Sequence, residues 1–215
     1  MRVVIFTGGK LRRGKLVQAV LAAADMIIAA DSGARTALDF GSLPSVVIGD
    51  FDSLDAVARK DLAAKGARFI THGRDKDRTD TELAIAYAAE NQATEITVLG
   101  GIEGGRLDHI LANVFAMTGS KVPIRFVNGQ LAAWAIKGPA SAAINGAGGD
   151  TVSLIPLTRQ AAGVRTSGLK YPLRGETLRM DRGRGVSNVM TRTKASVSLS
   201  RGVLLLVQSA AAYPE

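Results

Sequence analysis

The side chains best suited to chemistry are a set of aspartates in the first half of the chain. Several directly follow apolar runs: Asp31 follows residues 26–30, and Asp50 and Asp52 follow residues 46–48. Carboxylates that gather in one place repel one another unless a cation compensates their charge. The chain has two histidines and no cysteine, so oxygen ligands and Mg²⁺ are the expected combination. The acids predicted to share one sheet edge form four clusters: Asp31; Asp50 and Asp52; Asp75, Asp77 and Asp80; and Asp108.

A glycine-rich run at residues 100–106, GGIEGGR, is the second chemical feature. Backbone without a Cβ atom can approach a polyphosphate closely and present N–H groups to it. Arg106 adds a fork-shaped donor for phosphate oxygens. The run matches neither the dinucleotide-binding GxGxxG pattern nor a P-loop. It predicts a phosphate-binding loop that includes Gly100, Gly101, Gly105 and Arg106.

Several of these residues also fit structural roles. Thr79 and Glu82 have the spacing of a helix-capping box. Asp31 also fits a turn, and Asp108 also fits the N-cap of a helix over residues 109–117. Taken singly, an aspartate is more often a cap than a ligand. We favour a shared site because purely structural roles for all of these residues along one sheet edge would be an unusual coincidence.

The turn Gly8-Gly9-Lys10, followed by Arg12 and Arg13, has two interpretations. It could add a further contact for a phosphate group. A turn with solvated basic side chains is the favoured alternative.

The elements that must position these residues alternate along the first half. Short apolar runs at 3–6, 26–30, 46–48, 68–70 and 96–99 are separated by alanine-rich stretches with helical spacing. This alternation is typical of an open parallel sheet with helices on both faces. In such sheets ligands bind at the carboxyl ends of the strands, where the polar clusters lie. The predicted fold class is α/β, a doubly wound and mostly parallel sheet.

The pattern changes near residue 128, where helical spacing fades and short alternating segments follow. These segments predict a C-terminal all-β sandwich domain. The predicted domains are residues 1–127 and 128–215. The small-residue stretch 140–149, ASAAINGAGG, is predicted to be a loop.

The charge is concentrated in the second half. The formal net charge of the 215 residues is +8, and residues 158–215 hold ten basic and three acidic side chains. A basic region can bind nucleic acid, but the aromatic residues beyond 134 are Tyr171 and Tyr213, too few for base-stacking platforms. No apolar run reaches the ~18–20 residues of a membrane-spanning helix. We therefore expect no nucleic acid, no membrane partner and a cytoplasmic location.

Six segments, in order along nearly the whole chain, resemble the thiamine pyrophosphokinase (thiamine diphosphokinase) family. GDFDS, DxTDxE and GGRLDH are specific in combination, although any one alone is not. The segments are AADSGA (29–34), VIGDFDS (47–53), DKDRTDTELA (75–84), GGIEGGRLDHILAN (100–113), GLKYPL (168–173) and GVSN (185–188).

The resemblance implies transfer of an intact pyrophosphoryl group from ATP to the primary hydroxyl of thiamine, with AMP as the second product. It also implies Mg²⁺ and a homodimer whose thiamine pocket lies between subunits. The implied catalytic residues are Asp50, Asp52, Asp80, Arg106 and Asp108, of which the first three would surround Mg²⁺. The implied ATP-binding residues are Asp31, Thr79, Gly100, Gly101, Gly105 and Arg106. The implied thiamine-binding residues are Asp80, Ser187 and Asn188.

Two residues depart from the family pattern. Ser32 stands where the family often has glycine, and Arg35 stands where it often has asparagine. Two alternative functions stay open: a pyrophosphokinase acting on another primary alcohol, such as a hydroxymethyl pterin, and a basic nucleic-acid-binding module. The segment GLKYPL and the Ser-Asn pair favour thiamine over the first alternative.

Overall fold

The computed structural model describes residues 1–52, 54–73, 77–104 and 106–211. The chain divides into two compact units. The units are Met1–Gly129 and Gln130–Glu215. None of the described helices combines the length and the apolar content that crossing a membrane requires.

The first unit is a parallel sheet with the strand order β6-β5-β1-β2-β3-β4. The predicted doubly wound α/β fold is confirmed here. The strands are β1 (Arg2–Phe6), β2 (Met26–Ala30), β3 (Val46–Gly49), β4 (Arg68–Thr71), β5 (Glu95–Leu99) and β6 (Ile124–Asn128). The helices are α1 (Lys15–Ala22), α2 (Gly33–Asp39), α3 (Ala56–Ala64), α4 (Asp80–Glu90) and α5 (Leu107–Gly119).

Local chemistry explains where the two site-forming helices begin. Helix α4 has the predicted capping box: the Thr79 side chain accepts from the Glu82 N–H, and the Glu82 carboxylate accepts from the Thr79 N–H. Helix α5 differs from expectation. Its N-cap is Arg106, so the alternative in which Asp108 caps this helix does not hold. Asp108 lies instead in the first turn, where the positive end of the helix dipole stabilises its negative charge.

The second unit contains two antiparallel sheets with strand orders β12-β9-β14-β7 and β11-β10-β13-β8. Buried residues from both sheets, including Leu154, Val164 and Leu206, form one core cluster, as the predicted sandwich requires. The strands are β7 (Leu131–Lys137), β8 (Ala140–Asn145), β9 (Thr151–Pro156), β10 (Gln160–Ser167), β11 (Arg174–Arg179), β12 (Asn188–Val189), β13 (Lys194–Leu199) and β14 (Val203–Ser209).

The segment predicted as a loop over residues 140–149 is partly a strand, so that prediction is wrong for Ala140–Asn145. All six residues pair with β13 in an unbroken antiparallel register. Ile144 is buried in the core of this unit. The pairing partner and this one apolar anchor outweigh the low strand preference of alanine, serine and asparagine.

Candidate active site

Three carboxylates meet at the carboxyl ends of β2 and β3. One carboxylate oxygen each from Asp31, Asp50 and Asp52 lies within 4.8 Å of the others, and we call these residues the acidic group. Asp31 and Asp50 are half-buried, and Asp52 is exposed. The Asp31 N–H donates to the Ile48 carbonyl at 2.8 Å, which ties the end of β2 to the end of β3. The parallel pairing of these strands therefore brings the predicted acids together.

Left-handed backbone shapes the acidic group. Asp31 has φ 45° and Phe51 has φ 61°, conformations uncommon outside glycine. Phe51 is 5% exposed and contacts Phe69 edge-on, with ring centroids 5.2 Å apart. The Arg59 guanidinium stacks over the Phe51 ring at 4.9 Å. Burial of Phe51 thus anchors the turn that holds Asp50 and Asp52 beside Asp31.

Asp80 approaches the same place from helix α4. A Cβ atom added to Gly49 would lie 3.1 Å from the Asp31 Cβ and 3.3 Å from the Asp80 Oδ1. Gly49 therefore leaves space that Asp31 and Asp80 share. Among the described residues, the spacing expected of shared metal ligands selects Asp31 with Asp50 and Asp52, whereas the sequence prediction grouped Asp50 and Asp52 with Asp80.

A cleft of about 200 Å³ is lined by Asp31 and Asp80 and by residues of the glycine-rich loop, whereas Asp50 and Asp52 are not among its lining residues. Four predicted ATP-binding residues share its wall. They are Asp31, Thr79, Gly101 and Arg106, and Asp80 also contributes. Gly100 is buried beside it, where an added Cβ would lie 3.2 Å from the Thr7 carbonyl oxygen. The predicted residues Asp75 and Gly105 lie outside the described part of the chain.

Arg106 and Asp108 form an exposed ion pair. Arg106 Nε donates to Asp108 Oδ1 at 3.1 Å, and Arg106 Nη2 donates to Oδ2 at 2.5 Å. The hydrogen bonds from Arg106 hold the pKa of the Asp108 carboxyl below its ordinary value. The same hydrogen bonds raise the pKa of Arg106. Asp108 is thus arranged to orient the guanidinium that borders the cleft.

The two residues expected to contact thiamine lie in the second unit. Ser187 is exposed at φ 58°, and its N–H donates to Ser153 Oγ at 3.0 Å. Asn188 is buried, and its side-chain amide brackets the Tyr171 backbone: Nδ2 donates to the Tyr171 carbonyl and Oδ1 accepts from the Tyr171 N–H. Oδ1 also accepts from the Val189 N–H. The Asn188 side chain holds the segment GLKYPL in place.

Sequence reasoning missed three polar residues around the cleft. Asn113 is 4% exposed, and its Nδ2 donates to the Gly101 carbonyl at 2.8 Å, which fixes the glycine-rich loop to helix α5. The buried hydroxyls of Thr7 and Thr81 bond to each other at 2.7 Å and join β1 to α4. Thr7 and Thr81 are 74 positions apart. No local sequence pattern predicts a contact between such distant residues. Asn113 does have a sequence signal, because it is the last residue of the segment GGRLDHILAN.

The basic residues after Gly9 mostly bond within the protein. Arg13 donates to the Asp39 carbonyl at 2.6 Å and stacks over Phe40 at 4.5 Å. Arg12 pairs with Glu103. In the turn Gly8-Gly9-Lys10, the residues that line the cleft are Gly8 and Gly9.

Comparison with known proteins agrees with this geometry. A family model described as thiamin pyrophosphokinase, catalytic domain, matches residues 17–126. A second one, thiamin pyrophosphokinase, vitamin B1 binding domain, matches residues 142–204. The chain belongs to the thiamine pyrophosphokinase family. The family inferred from the six sequence segments is therefore confirmed.

The similarity to individual thiamine pyrophosphokinases extends over most of the chain. The thiamine pyrophosphokinase of Bacillus subtilis (strain 168) is 27% identical over 185 residues, 85% of this chain and 86% of that protein. A crystal structure of the Bacillus subtilis thiamine pyrophosphokinase has a TM-score of 0.85, covering 98% of this chain and 99% of the other at 27% identity. The crystal structure of thiamin pyrophosphokinase from Geobacillus thermodenitrificans has a TM-score of 0.81, with 98% of each chain covered at 28% identity.

The two departures from the pattern of thiamine pyrophosphokinases have structural explanations. Ser32 lines the cleft, and its Oγ lies 2.6 Å from where a Cβ on Gly8 would stand. Arg35 Nη2 pairs with Asp55 Oδ2 at 2.7 Å, and Asp55 is the N-cap of α3. Arg35 therefore braces the start of a helix, and Ser32 fills space beside a glycine.

Proposed function

We propose that this chain is a thiamine pyrophosphokinase that transfers the pyrophosphoryl group of ATP to the hydroxyl of thiamine. The observation that carries the proposal is the acidic group, whose Asp31 lines a cleft together with glycines, within the segment that matches the family's catalytic domain. In phosphoryl transfer the protein mainly positions groups and offsets charge. The cleft offers glycine backbone that can position a polyphosphate and charged side chains that can offset charge.

The acidic group fits a magnesium ion. Its three carboxylates supply hard oxygen donors close together, and one oxygen of Asp31 is buried. Asp31, Asp50 and Asp52 would hold the ion, with Asp80 beside them. Bound Mg²⁺ would neutralise charge on the polyphosphate.

The proposed transfer forms one bond at the β-phosphorus, breaks another there and needs an acceptor for the hydroxyl proton. The thiamine hydroxyl oxygen forms a bond to the β-phosphorus of ATP, and the bond from that phosphorus to the α-phosphate oxygen breaks. AMP leaves, and thiamine diphosphate is the other product. We assign Asp80, at the cleft edge of α4, to accept the hydroxyl proton. Arg106, held by Asp108, would stabilise the charge that develops on the phosphate oxygens.

The second substrate is a cation. Thiamine has a permanent positive charge on its thiazolium ring, and the acidic group attracts cations. Ser187 would contact thiamine directly, whereas Asn188 would act by holding Tyr171. We further propose a cytoplasmic homodimer without a nucleic-acid or membrane partner.

The experiment is a coupled assay for AMP release from ATP and Mg²⁺, with and without thiamine. We expect AMP that depends on thiamine, and no ADP. A hydroxymethyl pterin in place of thiamine is the matched control and should give no AMP. Release of ADP would mean transfer of a single phosphoryl group and a wrong reaction class, and AMP with the pterin alone would mean the wrong alcohol.

A further inference from the structure

Glu103 lies at the centre of a network that joins two loops around the cleft. Arg12 Nε donates to both Glu103 carboxylate oxygens, at 2.7 and 2.8 Å, and Arg12 Nη2 lies 2.6 Å from Oε1. Lys10 Nζ is 3.7 Å from the same oxygen. Glu103 and Arg12 side chains are 26% and 28% exposed, so this pair is better shielded from water than the exposed ion pairs elsewhere.

Buried Asn128 completes the network from the end of β6. It is 0% exposed, its Oδ1 accepts from the Arg12 N–H at 2.6 Å, and its Nδ2 donates to the Lys10 carbonyl at 2.9 Å. Nδ2 also lies 3.2 Å from Glu103 Oε2. The carboxyl ends of β1, β5 and β6, which are neighbours in the sheet, are therefore tied together.

The joined loops are those that reach the cleft. The backbone of Lys10 donates to the Glu103 carbonyl at 2.9 Å, and the backbone of Gly101 donates to the Gly8 carbonyl at 3.1 Å. A Cβ on Gly104 would stand 2.6 Å from the Lys10 Cβ, so the loops are in close contact. Gly8, Gly9 and Gly101 line the cleft.

We propose that Glu103, with Arg12 and Asn128, is a positioning residue for the nucleotide: it fixes the two glycine loops at the spacing that the ATP phosphates require. This inference rests on the proposed function. Glu103 is not among the residues that line the cleft, and in this role it acts through the loop backbone. Its removal is expected to weaken ATP binding and leave the chemical step and thiamine binding nearly unchanged, because binding of a polyanion by backbone N–H groups depends on their preset geometry.

The test compares Glu103→Gln, Arg12→Gln and the double variant with the wild type. Each single variant should raise KM for ATP about tenfold, with kcat and KM for thiamine within about twofold, since a charge-assisted network is lost. The double variant should have a KM for ATP no higher than that of the single variant with the higher KM, because both substitutions disrupt the same interaction. Asp61→Asn is the matched control: it breaks an exposed ion pair with Lys65 on α3 and should change nothing.

Titration calorimetry with Mg²⁺–ATP in the absence of thiamine gives a second readout. Glu103→Gln should bind ATP about tenfold more weakly, and the thermal midpoint shows whether the fold is intact. Unchanged ATP affinity, or equal losses for ATP and thiamine, would overturn the positioning role. A wild-type protein that binds ATP but releases no thiamine-dependent AMP would instead overturn the proposed function.

Discussion

The segments GDFD at the end of β3 and GVSN at the start of β12 share a backbone feature but use their side chains differently. Each contains a non-glycine residue with left-handed backbone, Phe51 at φ 61° and Ser187 at φ 58°. In the first segment, Asp50 and Asp52 gather with Asp31, which lines the cleft. In the second, the Asn188 amide bonds to backbone within its own unit.

The difference separates two kinds of motif residue. Some offer a charged side chain where a ligand can reach it, and others fix the backbone that presents a neighbour. Both kinds are essential to a binding site, so recurrence in a motif does not distinguish them. Burial and hydrogen bonding do, and they predict different responses to substitution.

The largest effect should come from neutralising the acidic group. Asp52→Asn and Asp31→Asn should each lower kcat/KM by about 1,000-fold or more, because a metal ligand supplies several kcal/mol of charge stabilisation. Asparagine tolerates the left-handed backbone at position 31, so unfolding in urea should change little. The measurement is AMP release at several Mg²⁺ concentrations. Near-normal rates in both variants would remove the contrast with Asn188.

Arg106→Gln should have the next largest effect, about 100-fold on kcat/KM for ATP, since a donor to developing charge is lost. Asp108→Asn should cost only about tenfold, because it removes an orienting partner. A larger loss for Asp108→Asn than for Arg106→Gln would reverse the two roles.

The same pair makes a pH prediction. The Asp108 pKa is lowered in the folded protein, first by the hydrogen bonds from Arg106. The ion pair is therefore fully present above the ordinary carboxyl pKa and is lost only as pH falls through the lowered folded value. An NMR titration of Asp108 should show this low pKa, and Arg106→Gln should bring it back towards the ordinary value. A midpoint that Arg106→Gln leaves unmoved would contradict the assignment.

Asn188→Ala sharpens the comparison from the other side. Loss of the amide leaves Tyr171 backbone groups unsatisfied and should cost about 2–3 kcal/mol of unfolding free energy. The free energy of unfolding in urea is the measurement, and KM for thiamine should rise while KM for ATP stays the same. Ser187→Ala is the control, because its exposed hydroxyl should matter to thiamine and not to stability. Unchanged stability in Asn188→Ala would show that the amide is available to ligand after all.

The smallest expected effect belongs to Thr79→Ala. Loss of the capping box should lower stability by about 1 kcal/mol. Thr79→Ser keeps the capping oxygen and should restore most of it. If thermal unfolding is unaffected and KM for ATP rises instead, Thr79 serves the nucleotide more than the helix.

The sequence predicts the sheet better than the connections. Continuous β-branched runs such as residues 46–48 are buried strands, since their apolar character depends on burial. Helix α2 follows from the predicted alternation, but its bounds do not: it has seven residues, and its N-cap Ser32 makes no side-chain capping bond. Strand β8 is stabilised by its partner β13 and was hidden by its small residues.

The candidate site divides the same way. The acids stand out because aspartates follow the ends of β2 and β3 or lie in the first turns of α4 and α5. Parallel strands bring such ends together. Asn113 and the Thr7–Thr81 pair do not stand out, because their roles arise from contacts between distant segments. The grouping of Asp31, rather than Asp80, with Asp50 and Asp52 likewise depends on three-dimensional placement, which composition and spacing do not encode.

Gly49 gives a way to alter distances in the cleft without altering its charge. A methyl group there would meet Asp31 on one side and Asp80 on the other, at 3.1 and 3.3 Å. Alanine at this position would act as a wedge between an ion-holding carboxylate and the proposed proton acceptor. The spacing between two acids is thus governed by a third residue that contributes no functional group of its own.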